Sequence, residues 1–555
     1  MTTKTSRPPN RPVCAPYLGV ASVFAVSLAI PGAPALADSS YFLPNNLLVS
    51  RVIYDNNPNN VVAGVTQLPP GCAPANCVTA TSSGAYPTVW NNALVDSSFG
   101  ITAKIILDQL TPAGVLVNSL ETPNSSQNGV PPTKDQMVGS FSSKSEVALN
   151  VSTDGQYVTF MGYLSQINVL DVSNSNTPDV FDPTNPVPGA FDRVVAQVDR
   201  KGNFRFTSTN AYSGNNGRAA ILNNSGGANV AYLAGNAGNG SGAQPDGIII
   251  GAGAQILTPE IKALAAQRPG LPTPVGSFNI SQLNHSADKI GKDDNFRGLR
   301  INNKVLYYTK GSGGNGVNTV YFVDTSGFSA NGIPLACPKG VGVPAASASL
   351  PAGPLPYNPS VLQTQGLTPN NMCILNGFPT ALKSTTSFPF GVWFGAANTL
   401  YVADEGNGLN TFASGTYTAA AAQTTAGLQK WVFDGAKWNL VYTLTNGLNL
   451  GAPYTVSGYP TGNNAATGLP WSPATDGLRN INGQINGDGT VTIWAITSTV
   501  SGNGDQGADP NKLVVVTDAL TAPTLPPTES FNTLRTAGFG EVLRGVSFTP
   551  GTGAP

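Results

Sequence analysis

Glu146-Val-Ala-Leu-Asn-Val151, Ser152-Thr-Asp-Gly155 and Tyr157-Val-Thr-Phe-Met-Gly-Tyr163 form the stretch on which the fold reading turns. Two β-branched and aromatic runs flank a turn of residues that tolerate tight bends, so the stretch predicts a hairpin. Past an insertion rich in Asn, Asp and Pro, Arg193-Val-Val-Ala-Gln-Val198, a Lys201-Gly-Asn turn and Phe204–Thr207 extend it to four strands. The opening recurs as Gly217-Arg-Ala-Ala-Ile-Leu, Phe296-Arg-Gly-Leu-Arg-Ile, Phe390-Gly-Val-Trp-Phe, Gly477-Leu-Arg-Asn-Ile-Asn and Leu543-Arg-Gly-Val-Ser-Phe. In each copy a small residue, an acid or an arginine feeds an apolar strand. After the first five copies a Gly/Asn/Asp turn leads into a second β-rich run, such as Asn229-Val-Ala-Tyr-Leu-Ala-Gly or Thr399-Leu-Tyr-Val-Ala-Asp. A unit repeated in this way cannot bury its faces alone and must stack on its neighbours. The expected fold is an all-β, six-bladed β-propeller.

The last copy has no strands after it, because the chain ends at Pro555. Its partners are expected at the other end, in Leu47–Val52, Ile101–Asp108 and Val115–Leu120, so that terminal strands close one blade and no sheet edge stays open. The third strand of the second repeat is read as Gly247-Ile-Ile-Ile-Gly. Successive copies lie further apart than the roughly 40–50 residues of compact propeller repeats, so the surplus is in loops. Long insertions are expected at about 55–98, 164–190, 257–292, 326–386 and 446–475, with one short helix over Pro259–Gln267.

Lys4, Arg7 and Arg11, the apolar run Tyr17–Ile30 and Ala35-Leu-Ala37 have the form of a signal peptide over 1–37. The mature chain, 38–555, is then one propeller domain, secreted or periplasmic and expected to be a monomer. No later segment reaches the ~18–20 apolar residues of a spanning helix. Apart from Cys14, four cysteines remain, and their local spacing favours Cys72–Cys77 and Cys337–Cys373 disulfides over a metal site. Charged residues make up 10% of the chain and the formal net charge is −1, which offers no basic field for nucleic acid.

Asn46-Leu-Leu-Val-Ser-Arg-Val, Ile105-Ile-Leu-Asp-Gln-Leu-Thr-Pro-Ala-Gly, Ser152-Thr-Asp-Gly-Gln-Tyr-Val-Thr-Phe-Met-Gly-Tyr and Leu543-Arg-Gly-Val-Ser-Phe-Thr-Pro resemble a group of exported bacterial six-bladed propeller domains of unassigned activity. Leu400-Tyr-Val-Ala-Asp-Glu-Gly-Asn followed by Leu428-Gln-Lys-Trp is similar to an NHL-type blade. These resemblances imply fold and export and transfer no catalytic residue.

The chain's single histidine, His285, has no nucleophile elbow around it and is read as a loop residue, which argues against Ser-His or zinc-hydrolase chemistry. In a propeller the first strand of each blade lines the central channel, so residues at its start converge. Glu146, Asp294, Asp476 and Glu541 are candidate Ca²⁺ ligands there, since Ca²⁺ takes hard oxygen donors. Arg218, Arg297, Arg300, Arg479 and Arg544 are candidate clamps for a carboxylate or phosphate. The bland alternative is that these acids and arginines tie neighbouring blades together. Trp393, in a run with Phe388, Phe390 and Phe394, could stack on a sugar or fill the space between blades.

The expected function is a binding or scaffold module with its ligand, a small molecule, carbohydrate or protein, at the channel mouth. The alternative is a calcium-assisted hydrolase or lyase acting on a carbohydrate, lactone or phosphate ester. A quinone-dependent dehydrogenase comes third.

Overall fold

The computed structural model describes residues 40–553 apart from 82–85, 87–99, 144, 182–184, 237–252, 261–273, 277–282, 286–294, 312–315, 331–332, 355–370 and 504–506. Six antiparallel sheets stand in a ring as the blades of a β-propeller. Blade 1 is built from both termini, in the order Glu541–Phe548, Leu47–Ile53, Thr102–Leu110 and Leu116–Glu121. Leu47 lies opposite Phe548 and Ile53 opposite Glu541, so the last strand of the chain pairs along its length with the first.

The other inner strands are Asn150–Val151, Gly217–Asn223, Leu299–Asn302, Pro389–Ala396 and Ala474–Ile485, and they open blades 2 to 6. Each is followed by a second strand on its outer side: Tyr157–Tyr163, Val230–Gly235, Val305–Lys310, Thr399–Asp404 and Thr490–Val500.

Two elements differ from the sequence reading. The third strand of blade 3 is Ala254–Leu257, which pairs with Ala231–Ala234. Gly247–Gly251 lies outside the described residues. In blade 4 the fourth strand is Met372–Leu375, within the segment assigned to a loop, and Val341–Gly342 adds beside it in parallel. The Met-Cys-Ile-Leu run is too short and too deeply set among Pro and Gly to announce itself by periodicity. The helix expected over Pro259–Gln267 lies, beyond Glu260, outside the described residues; a helical turn is described at Thr418–Ala421.

Both disulfides form, Cys72–Cys77 and Cys337–Cys373, with Cα atoms 5.6 and 5.9 Å apart. The second fixes the long connection of blade 4 to the strand Met372–Leu375 that ends it.

The blades are stitched at the ring's inner wall. Hydroxyls on second strands donate to the next blade's inner strand or the segment leading into it: Ser50 Oγ to Val147 O at 2.7 Å, Thr159 Oγ1 to Ala220 O at 2.7 Å, and Thr309 Oγ1 to Phe390 O. Arg218 Nη1 reaches Phe296 O at 2.9 Å and Asn480 Nδ2 reaches Arg544 O at 2.6 Å, closing the third and sixth interfaces. Between blades 5 and 6, Ser498 Oγ donates to Glu405 O at 2.5 Å. Outside this wall aromatic residues fill the wedge between blades. Trp431 stacks on Phe378 with ring centroids 4.0 Å apart, and Phe394 meets Trp438 edge-on.

Because neighbouring strands are antiparallel, the inner strands all begin on one face of the ring, here the upper face. The connections from second to third strand and from one blade to the next lie there too. This puts 54–81, 164–181, 185–192, 405–426 and 445–473 around the upper mouth of the channel. Short turns such as Asn303-Lys304 mark the lower face.

A chain ending at Val542 keeps every blade but the first intact and leaves Leu47–Ile53 without its inner partner. It is expected to lose the sharp thermal transition of the full chain in calorimetry, and an unchanged transition would refute closure by the termini.

Candidate ligand site in the central channel

Glu146 sits at the upper mouth, buried, and its carboxylate is fully engaged. Oε2 accepts from Ser140 N at 2.9 Å, while Oε1 accepts from the Tyr163 hydroxyl and from Asn216 Nδ2 at 3.0 Å. The next residue, Val147, has φ 59°, a costly conformation for a β-branched side chain. That strained residue also carries the carbonyl bound by Ser50, so the tie between blades and the aim of Glu146 are set together.

Four of the five candidate arginines converge at this end. Arg297 reaches past blade 3 to Ser145 Oγ at 2.5 Å. Arg544 donates to Phe141 O, and Arg479 Nε pairs with Glu405 Oε2 at 3.2 Å in a buried ion pair. Arg218 donates through Nη1 to Asn295 Oδ1 and Phe296 O, and its buried Nε has no acceptor. No described carboxylate forms an ion pair with Arg218. Burial, and after it the nearby charge of Arg297, pull its guanidinium well below the ordinary arginine range.

Asp476 also lies here, together with two acids the sequence reading did not single out, Asp404 and Glu405. Asp404 accepts from Phe388 N at 2.8 Å and Gly406 N at 3.0 Å. Asp476 accepts from Gly408 N at 2.8 Å and Gln423 Nε2 at 2.5 Å. Burial pushes each carboxyl up to about 7, and in both the charge of Glu405 adds to the shift. The signal for these acids was the Ala403-Asp-Glu-Gly run, quoted for its blade and not for its charge.

The remaining candidates lie elsewhere. Glu541 accepts from Arg51, which also pairs with Asp108 at 2.8 Å, and Arg535 reaches the same Asp108 oxygen at 2.9 Å. This ionic cluster ties blade 1 to Arg535 on the outer strand of blade 6, Asn532–Thr536, and does not include Glu146. Arg300 and Trp393 line a cavity with the ends of the inner strands, at the lower mouth. Asp294 lies outside the described residues. His285 is exposed. Among the described residues no three His, Cys, Asp or Glu side chains gather in a way that could hold a metal ion.

No protein-family model matches the chain, and no curated protein matches it in sequence. Among solved structures, that of a new family of polysaccharide lyase, PL25 ulvan lyase, matches at 10% identity over 90% of this chain and 96% of the other, with a TM-score of 0.25. A likeness at that level carries no argument about what this chain does.

The raised carboxyls have a consequence for stability. Asp404 and Asp476 at about 7, Asp509 at about 6 and Glu529 at about 7 all hold their protons longer in the folded chain than the ordinary 3.8 to 4.5, chiefly through burial. The folded state therefore binds more protons than the unfolded state between roughly pH 4 and 7, and stability falls as pH rises through that window. Asp108 behaves oppositely. Burial pushes it up, but hydrogen bonds from Arg51 and Ser119 and the charges of Arg51 and Arg535 bring it below its ordinary value. Its contribution is lost only at more acid pH. The melting temperature is expected to peak near pH 4 and to be lower at pH 8 than at pH 5 by about 4 °C or more; equal values at pH 5 and pH 8 would contradict these burial shifts.

Proposed function

We propose that the chain, after loss of residues 1–37, is an extracytoplasmic, monomeric propeller of one domain that binds an oxyanion-bearing ligand at the upper mouth of its channel. The observation that carries this reading is Arg218. A buried guanidinium held beside a second one, Arg297, with no ion pair to a described carboxylate and an unused Nε, is a costly arrangement in a low-dielectric setting. A carboxylate, sulfate or phosphate group placed against it would offset that cost through charge-assisted hydrogen bonds, two of them parallel if the fork is engaged. The long loops of the upper face surround this position and supply the contacts that would choose among ligands. Two disulfides suit an oxidising compartment. Among the described residues no helix is long and apolar enough to cross a membrane.

Below pH 7 Asp404 and Asp476 are largely neutral, which removes negative charge from the upper mouth. Oxyanion binding at this mouth is therefore expected to strengthen as pH falls from 8 to 5.5. Titration calorimetry against sulfate, phosphate and a panel of uronate and sulfated oligosaccharides tests the reading. Wild type is expected to bind at least one of them, and Arg218→Met, judged at a temperature where the variant is still folded, to weaken that binding by about tenfold or more. If none of the panel binds wild type, or the folded variant binds as tightly as wild type, the proposal is wrong.

A further inference from the structure

The lower end of the channel holds a cavity of about 350 Å³, walled by Trp393, Phe394 and Ile301 and supplied with polar groups by Arg300, Asn302 and Asn482. Arg300 is the one charged residue on its lining, and it also faces a neighbouring cavity of about 240 Å³. The upper-mouth arginines donate to carbonyls, to the Ser145 hydroxyl or to Glu405. No described side chain or carbonyl accepts from Arg300, and no carboxylate pairs with it. The residue is part-buried, and desolvation draws its guanidinium down to about 10, so at neutral pH it presents a cation to the cavity with no described acceptor beside it.

Two further features set this cavity apart from leftover space. Asn482 is only 5% exposed, and its side-chain amide makes no hydrogen bond among the described residues, which leaves its polar atoms to the cavity that it lines. The wall is also fixed in advance. A Cβ on Gly483 would fall 2.7 Å from the Trp393 indole, so only glycine lets that ring lie against the inner strand of blade 6, and Tyr401 backs the ring at 5.9 Å. A rigid apolar wall, one uncompensated cation and an idle amide describe a preformed small-molecule site.

We infer that this lower cavity is a second binding site, separate from the upper mouth, for a small organic carboxylate with a flat apolar body, an aryl or cycloalkyl acid. Volume limits the ligand to the low end of the ~300–1,000 Å³ range of ligand pockets. The single cation selects one negative charge, and its fork suits a carboxylate. The indole and phenyl walls take the flat face of the ligand, and the amides take a ring substituent or the second carboxylate oxygen.

The test uses the mature protein with 2-naphthoate, its neutral isostere 2-naphthalenemethanol, and acetate, each by titration calorimetry. Naphthoate is expected to bind, with the alcohol and acetate each weaker by about tenfold or more. Arg300→Gln should lose about tenfold in naphthoate affinity and melt at or above the wild-type temperature, because it removes an uncompensated cation, whereas a structural arginine would melt lower when replaced. Arg300→Lys, which keeps charge without the fork, should retain part of the affinity. Arg218→Met should leave naphthoate binding unchanged, which separates this site from the upper mouth. The inference is overturned if naphthoate does not bind, if the alcohol or acetate binds as tightly, if Arg300→Gln keeps full affinity, or if Arg218→Met abolishes binding and Arg300→Gln does not.

Discussion

The hydrogen bonds between a hydroxyl on one blade's second strand and a carbonyl of the next blade's inner-strand segment hold the rest of this structure in place. Ser50, Thr159 and Thr309 make it in blades 1, 2 and 4. Such a bond requires the inner strands to approach closely. Where they do, a side chain is excluded: a Cβ on Gly298 would lie 2.4 Å from Phe390 O, and one on Gly391 2.6 Å from Arg479 O. With small residues at the point of closest approach, the long side chains beside them have only the channel axis to occupy. The arginine-glycine pairing in the repeats is the written form of this constraint.

The constraint also explains why the two ends of the channel differ. At the upper face, where the inner strands begin, arginines from four blades are brought together, and most are satisfied by carbonyls, a serine hydroxyl or Glu405. A scaffold device of that kind repeats. Arg218 makes no ion pair with a described carboxylate and leaves its Nε unused. At the lower face a single arginine stands without a partner against aromatic rings. Asymmetry in a repeated architecture is a better pointer to a ligand than charge alone, because neighbouring copies show what the scaffold needs.

Much of this fold was legible in the chain. Glu146–Tyr163 and its copies announce the inner hairpins by β-branched runs and turn residues, and the orphan strand Leu543–Phe548 forces closure by the termini. The local spacing of the cysteines was enough to pair them. Met372–Leu375 was not legible, since a four-residue strand behind a long insertion has no period of its own and is held by Cys373. The site was legible only in part. Sequence placed Arg218, Arg297, Arg479 and Arg544 together but put Arg300 with them, because spacing along a strand does not say at which end of the channel a side chain emerges. It grouped Glu541 with Glu146, although Arg51 draws Glu541 into the ion cluster between blades 1 and 6. The Ser50, Thr159 and Thr309 hydroxyls went unnoticed because Ser and Thr are ordinary in strands, and only the distance to a neighbouring blade gives them a role.

The central claim is that the channel carries guanidinium groups whose counter-ions must come from outside the chain. Bromide is a small anion that can be located by anomalous scattering, so crystals of the mature protein grown in bromide and measured at its absorption edge test the claim directly. The account predicts anomalous density against Arg218 at the upper mouth and against Arg300 at the lower, with none at Arg479, which Glu405 already neutralises. Density at neither arginine, with protein carboxylates found against both guanidinium groups, would contradict it.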